Sequence, residues 1–113
     1  MEELLRRARL TDLYAVALSP RAQRILRQSV DEDCSLAEIA EAEGISRQGV
    51  QDALRRACEE LERMEAALHL AETLQKQDTL LESAERALQA GDTVTALQSI
   101  QTIQKLWEDT IGV

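Results

Sequence analysis

Apolar positions recur at helical spacing along almost the whole chain. Leu10, Leu13, Tyr14, Ala17 and Leu18 follow the i, i+3, i+4, i+7, i+8 rule of a helix that buries one face. They predict a first helix over Glu2 to Leu18. Ser19-Pro20 marks a restart, because serine is a good N-cap and proline at the first helical position forfeits no hydrogen bond. A second helix follows to about Val30, with Ala22, Ile25, Leu26 and Val30 inward. Asp31-Glu32-Asp33 breaks that period. Ser35-Leu36-Ala37-Glu38 is then a complete capping box, with Cys34 and Ile39 placed to staple it. This third helix is short and stops at Glu43, where Gly44 takes the left-handed conformation and Ile45 folds back to close the end. Ser46 caps a fourth helix at once.

The fourth helix is long. Leu54, Leu61 and Leu68 fall seven apart, as do Leu74, Leu81 and Leu88, but the step between the two series is six. The apolar stripe rotates there, which predicts a bend or short break within His69 to Thr73. Ala90-Gly91-Asp92-Thr93 is a second stop and restart. It opens a last helix, about Thr93 to Asp109, whose apolar positions are Val94, Leu97, Ile100, Ile103 and Trp107. The C-terminal third therefore reads as a helical hairpin. Its heptad leucines admit two uses, packing inside that hairpin or forming a homodimer seam. The acidic tail could also offer an apolar groove to a partner helix.

Composition narrows the fold to all-α. The 113 residues include four glycines, one proline and no phenylalanine, with only Tyr14 and Trp107 as aromatics. Strands favour β-branched and aromatic residues and need turn residues to join them. A net charge of −8 argues against coating nucleic acid or an anionic membrane by bulk attraction. The charge is uneven: residues 1–30 hold six arginines against three acids, whereas residues 31–45 hold six acids and no base.

Several chemistries find no support in the residues. Cys34 and Cys58 cannot build a disulfide framework or a four-ligand zinc site, and they read as small apolar residues. His69 has no partner at metal-ligand spacing. Asp31 to Asp33 lacks the alternating ligands and central glycine of a calcium loop and reads as a solvated turn. No serine, cysteine or carboxylate comes with the partner that nucleophilic or acid–base catalysis requires, and no glycine-rich phosphate loop exists. The expectation is a protein without enzymatic activity, cofactor or metal. Glu2 and Glu3 open the chain where a signal peptide would be basic. No apolar run approaches the ~20 residues of a membrane span. A cytoplasmic address without membrane insertion is expected.

The most informative stretch is Leu36 to Arg56. With Leu36 as the first position, Ala40 stands fifth, Gly44 ninth and Val50 fifteenth. Ala40 must be small where the next helix crosses it, Gly44 supplies a positive φ, and Val50 plugs the wedge between the helices. Leu36, Ala40, Gly44, Ile45 and Val50 thus describe a helix-turn-helix, with its helices at roughly 90–120° and the front of the second projecting outward. On a DNA-reading version the candidate contacts are Arg47, Gln48, Gln51, Asp52, Arg55 and Arg56, since arginine grips guanine and glutamine grips adenine in the major groove. Arg6, Arg7, Arg21, Arg24 and Arg27, with Arg56, would reach phosphates. Against this stand Glu38, Glu41 and Glu43 on the helix that would cross the backbone. The arginines alternatively form a patch for RNA or an acidic protein, or a solvated face. No aromatic platform exists for stacking single-stranded bases.

Ser35 to Ala57, SLAEIAEAEGISRQGVQDALRRA, resembles the core of the YlxM-like family of bacterial helix-turn-helix proteins. Leu13-Tyr14 and LSPRAQRI, Leu18 to Ile25, match its upstream pattern, and the region is more distantly similar to region four of bacterial sigma factors. The likeness is strong over residues 10–68 and faint in the tail. It implies a small all-helical cytoplasmic protein, commonly a homodimer. It also implies a link to the signal recognition particle, whose GTPase or RNA would be the partner. Gly49 departs from the family's alanine, which weakens the first turn of the fourth helix by about 1 kcal/mol. Gln51 stands in place of a usual aromatic, and the usual aromatic pair near Val30 is missing. The expected organisation is a helix-turn-helix domain over residues 1–68 and a hairpin over 69–113 that serves dimerisation or partner binding. Its expected role is that of an adaptor modulating protein targeting; the alternative is a sequence-specific DNA-binding regulator.

Overall fold

The computed structural model describes residues 2–112, which form six α-helices and no strand. The chain divides into two compact units, residues 1–67 and 68–113. The first contains α1 (Glu2–Tyr14), a 3-10 turn (Ala15–Ala17), α2 (Pro20–Val30), α3 (Leu36–Glu43) and nearly all of α4 (Arg47–Leu68). The second contains α5 (Leu70–Gln89) and α6 (Thr93–Ile111).

The first helix is shorter than its apolar period suggests. It ends at Tyr14, and residues 15–17 tighten into the 3-10 turn, closed by the Leu18 amide donating to the Ala15 carbonyl at 2.9 Å. The cause lies downstream. Ser19 caps α2 by accepting from the Ala22 amide at 3.2 Å, which requires an extended approach, and Leu18 accordingly sits at φ −89, ψ 167. A continuous helix to Leu18 would remove that cap. Leu10 and Tyr14 are buried and Leu13 and Leu18 partly so, but Ala17 is exposed.

The core of the first unit has two parts. Ile25, Ile39, Ala40 and Val50 interlock at the corner of α2, α3 and α4, with Cys34, Leu36, Ile45, Ala53 and Leu54 packed around them. Leu10, Tyr14, Leu26 and Leu61 are buried as well. Two polar groups in this unit are buried with partners in place. Thr11 Oγ1 donates to the Arg7 carbonyl at 2.7 Å, and the Tyr14 hydroxyl donates to Glu65 Oε1 at 2.7 Å.

His69 separates α4 from α5. Its φ of 57 places a non-glycine residue in the left-handed region, so the break predicted for His69 to Thr73 is concentrated at one residue. Gly91, at φ 76, makes the turn of the hairpin, and Asp92 then caps α6 by accepting from the Thr95 amide at 3.1 Å. The last helix runs two residues beyond the expected Asp109, to Ile111, and stops at Gly112 in the left-handed conformation.

The hairpin seam corrects the expected stripe. Ala84 and Ala87 of α5 meet Ala96 of α6, and Ser99 is buried beside them. Thr73 and Thr110 share a hydroxyl hydrogen bond of 2.9 Å, and the Trp107 indole donates to Gln77 Oε1 at 2.6 Å. Val94, Leu97 and Ile100 are exposed, as are Leu81 and Leu88. Helices that meet through alanines approach closely, so the small residues win the interface and the larger ones are turned outward.

Candidate functional site

The site is built on the corner between α3 and α4. Ser35 Oγ accepts from the Glu38 amide at 3.2 Å while Glu38 Oε1 accepts from the Ser35 amide at 2.9 Å, completing the capping box. These bonds hold the Glu38 carboxyl below the usual carboxylate range. Gly44 sits at φ 67, and the Ile45 amide donates back to the Ala40 carbonyl at 3.1 Å. Ser46 Oγ then accepts from the Gly49 amide at 3.0 Å and starts α4. Val50 and Ile39 are fully buried, which locks the second helix of the motif against the first.

At position 49 an alanine would crowd the cap. A Cβ there would lie 3.2 Å from Ser46 Oγ, the capping atom itself, and 3.5 Å from Ile45 Cδ1. Glycine loses helix propensity but leaves the serine undisturbed.

The front of α4 presents Arg47, Gln48 and Gln51 to solvent. Asp52 organises the next turn. Its Oδ1 accepts from Gln48 Nε2 at 3.2 Å and lies 3.5 Å from an Arg55 nitrogen, while Arg55 also lies 3.6 Å from Glu59. Gln48, Asp52, Arg55 and Glu59 therefore form a polar chain down one outward face. Arg56 leaves this group. It borders a groove with Leu18, Ala22, Ile45 and Ala53, whereas Gln51 and Arg55 border the groove between α1 and α4. That second groove, about 1030 Å³, has Leu10, Leu54, Cys58 and Leu61 in its lining.

The arginines named for phosphate contact are mostly engaged within the protein. Arg6 donates to both oxygens of Glu62, at 2.9 and 2.7 Å, and ties α1 to α4. Arg24 grips Glu43 at 3.0 and 3.3 Å, with Gln28 donating to the same carboxylate at 3.1 Å and the Arg21 guanidinium 3.9 Å away as an ion pair. Arg27 reaches Asp12 at 2.8 Å and Asp31 at 3.1 Å. Arg24 first, then Gln28 and Arg21, hold the Glu43 carboxyl below its ordinary value against some desolvation. The Arg6 hydrogen bonds do the same to Glu62. Asp31 is an i,i+4 neighbour of Arg27, but Asp12, Glu43 and Glu62 stand 15 to 56 residues from their arginines, so no local spacing announces them. The role of Glu43, last residue of α3 with its side chain only 8 % exposed, was legible only in three dimensions.

Asp31, Glu32 and Asp33 are all exposed, consistent with a solvated turn. Cys34 and Cys58 are free and half-buried, and desolvation is the first cause raising both thiols above their ordinary value. Among the described residues, no helix is long and apolar enough to cross a membrane.

A short capped helix, a left-handed glycine and a plugged second helix with an exposed front define the class: this is an all-α helix-turn-helix protein. Residues 1–104 match the UPF0122 family of helix-turn-helix proteins, YlxM / p13 like. A UPF0122 protein of Symbiobacterium thermophilum is 35 % identical over 104 residues, covering 92 % of this chain and 97 % of its own. The UPF0122 protein YofM of Lactococcus lactis subsp. lactis is 34 % identical over 106 residues, covering 93 % and 96 %. A UPF0122 protein of Acetivibrio thermocellus reaches 41 % over 83 residues, covering 73 % and 71 %. The chain belongs to the YlxM-like UPF0122 family. The match extends well into α6, past the stretch that carried the resemblance in sequence.

Proposed function

We propose that this protein is a non-enzymatic regulatory adaptor that acts in the cytoplasm on the signal recognition particle pathway. The GTPase of the particle or its RNA is the partner. The pathway comes from the family resemblance. The adaptor reading is supported by one observation above the rest: Arg6, Arg24 and Arg27 are bound to carboxylates of this chain rather than arrayed for a phosphate backbone. A helix-turn-helix that grips duplex DNA gains most of its affinity from such cations. Here the helix that would cross the backbone also bears exposed Glu38 and Glu41. Within this reading, residues 69–113 are the partner-binding or dimerising part, and residues 1–68 present the front of α4.

The test is GTP turnover by the particle's GTPase with its receptor, with and without this protein. A change in turnover that saturates with added protein supports the role. Unaltered turnover, with no recovery of the GTPase or its RNA on the immobilised protein, overturns it.

A second reading, sequence-specific DNA binding, is favoured by the exposed Arg47, Gln48 and Gln51 at the front of α4. Arg55 and Asp52 would then read bases through the polar chain they share with Gln48. Under this reading Arg47→Ala and Gln51→Ala relax specificity, and affinity falls steeply with salt. Equal binding by parent and variants excludes direct readout by α4.

A further inference from the structure

The hairpin carries an apolar face that its own packing does not use. On α5 the residues turned toward α6 include Thr73, Leu80, Ala84 and Ala87, and on α6 they include Ala96, Ser99 and Ile103. Leu74, Leu81 and Leu88 each follow a seam residue of α5 by one position. Leu97 and Ile100 each follow a seam residue of α6 by one position. One residue is a rotation of roughly 100° about a helix axis. In an antiparallel pair, equal rotations from the seam bring both rows to the same side. Leu81, Leu88, Leu97 and Ile100 are 48, 57, 55 and 44 % exposed and form one continuous strip there, with half-buried Leu74 and Trp107 extending it. From Leu74 to Leu88 the strip runs about 21 Å, some four turns of helix. Contiguous apolar faces of about this extent mark interaction sites.

The charges around the strip select its occupant. Asp78 and Glu85 interleave with Leu74, Leu81 and Leu88 at steps of three and four residues, and so border the α5 row. Glu108 lies beyond the α6 row. The three basic residues of this unit lie off the strip. Lys76 pairs with Glu72 at 3.3 Å, Arg86 precedes the seam residue Ala87 by one position and so faces the side opposite Leu88, and Lys105 lines a groove with Gln98, Thr102 and Leu106. The charged residues that border the strip are therefore all carboxylates, with exposed Gln101 and Gln104 completing the α6 side. Two copies meeting face to face would set one acidic border against another with no base in either.

Building on the adaptor reading, we propose that this strip docks an amphipathic helix of a partner protein. Its apolar stripe is flanked by lysines and arginines. The apolar side chains of that helix cover Leu81, Leu88, Leu97 and Ile100, and its cations meet Glu85 and Glu108. Charge complementarity of this kind selects the partner and speeds its capture, while the apolar contact holds it.

The probe is a labelled peptide of about 18 residues, roughly five turns, with leucines on one face and lysines flanking them. Its twin carries glutamates in place of the lysines. Fluorescence anisotropy with the full chain should show the lysine peptide binding about tenfold or more tighter than the glutamate twin. Leu88→Asp should abolish that binding with circular dichroism unchanged. The double variant Glu85→Lys and Glu108→Lys should reverse the preference. The double variant Glu32→Lys and Glu41→Lys, a charge change of the same size at two exposed positions of the other unit, should leave it intact. Equal binding of both peptides overturns the proposal, as does equal loss on that control, which would mean bulk charge. A dimer in sedimentation that Leu88→Asp dissociates also overturns it, by giving the strip to a second copy. No component of the targeting pathway is present, so a failure here leaves the GTP-turnover test standing, and the reverse holds equally.

Discussion

The corner of α2, α3 and α4 and the hairpin of α5 and α6 solve the same packing problem in opposite ways. At the corner, large β-branched side chains interlock: Ile25, Ile39 and Val50 are at most 1 % exposed, with a glycine turn to set the angle. In the hairpin, Ala84, Ala87 and Ala96 carry the contact, and Leu81, Leu88 and Leu97 face outward. A crossing at a steep angle touches at one place and needs a plug there. Helices running alongside touch over their length, and small residues let them close the gap. The corner spends its apolar side chains on itself, whereas the hairpin keeps them for something else.

The sharpest way to break this contrast is to truncate a plug. Ile39→Ala should cost about 2–5 kcal/mol in chemical denaturation, because a close-packed corner cannot collapse onto the cavity. If the cost is below about 1 kcal/mol, the corner is not close-packed and the contrast fails. Overfilling the hairpin seam should come next. Ala87→Leu forces apart helices that meet through alanine and should cost about 1–3 kcal/mol, read in the same way. Gly44→Ala should cost about 1–2 kcal/mol, since a Cβ meets no neighbour but the left-handed φ remains unfavourable. Smallest of all, Leu81→Gln should change stability by no more than about 0.5 kcal/mol, as expected for a side chain that the folded chain leaves outside.

The corner also has a pH dependence, of a kind that the hairpin shows at its turn, where the Thr95 hydroxyl and amide hold the Asp92 carboxyl below its ordinary value. Glu38 and Glu43 titrate lower in the folded chain than free carboxylates do, because of the cap bonds and of Arg24 respectively. Their contribution is present above the unfolded-state value, about 4.3, and is lost as pH falls through the lowered folded values. Denaturation midpoints should therefore drop below about pH 4. Glu43→Gln should flatten that drop, and an unchanged profile would detach Glu43 from the stability of the corner.

Much of the first unit was readable in advance because its signals are local. Ser35 with Glu38, Gly44 with Ile45, and Ser46 at the next start each act within a turn of helix, and each was found with the expected bonds. The α1 end was misread because an apolar period says which face is buried, not where a neighbouring cap needs extended backbone. The outward face of α4 was readable at Arg47, Gln48 and Gln51. The pairing of Arg6, Arg24 and Arg27 with distant acids was not, because nothing along the chain marks residues 15 to 56 positions apart as neighbours.

Alone, the order of residues determined the helical stretches with a bend or break after the fourth, the serine and aspartate caps and the glycine-centred corner, since each follows from backbone hydrogen bonding and side chains within reach of one turn. Tertiary structure alone decided which arginines are already matched and which leucines are left outside. Both outcomes depend on how close two helices approach, and a hydrophobic period carries no information about that distance.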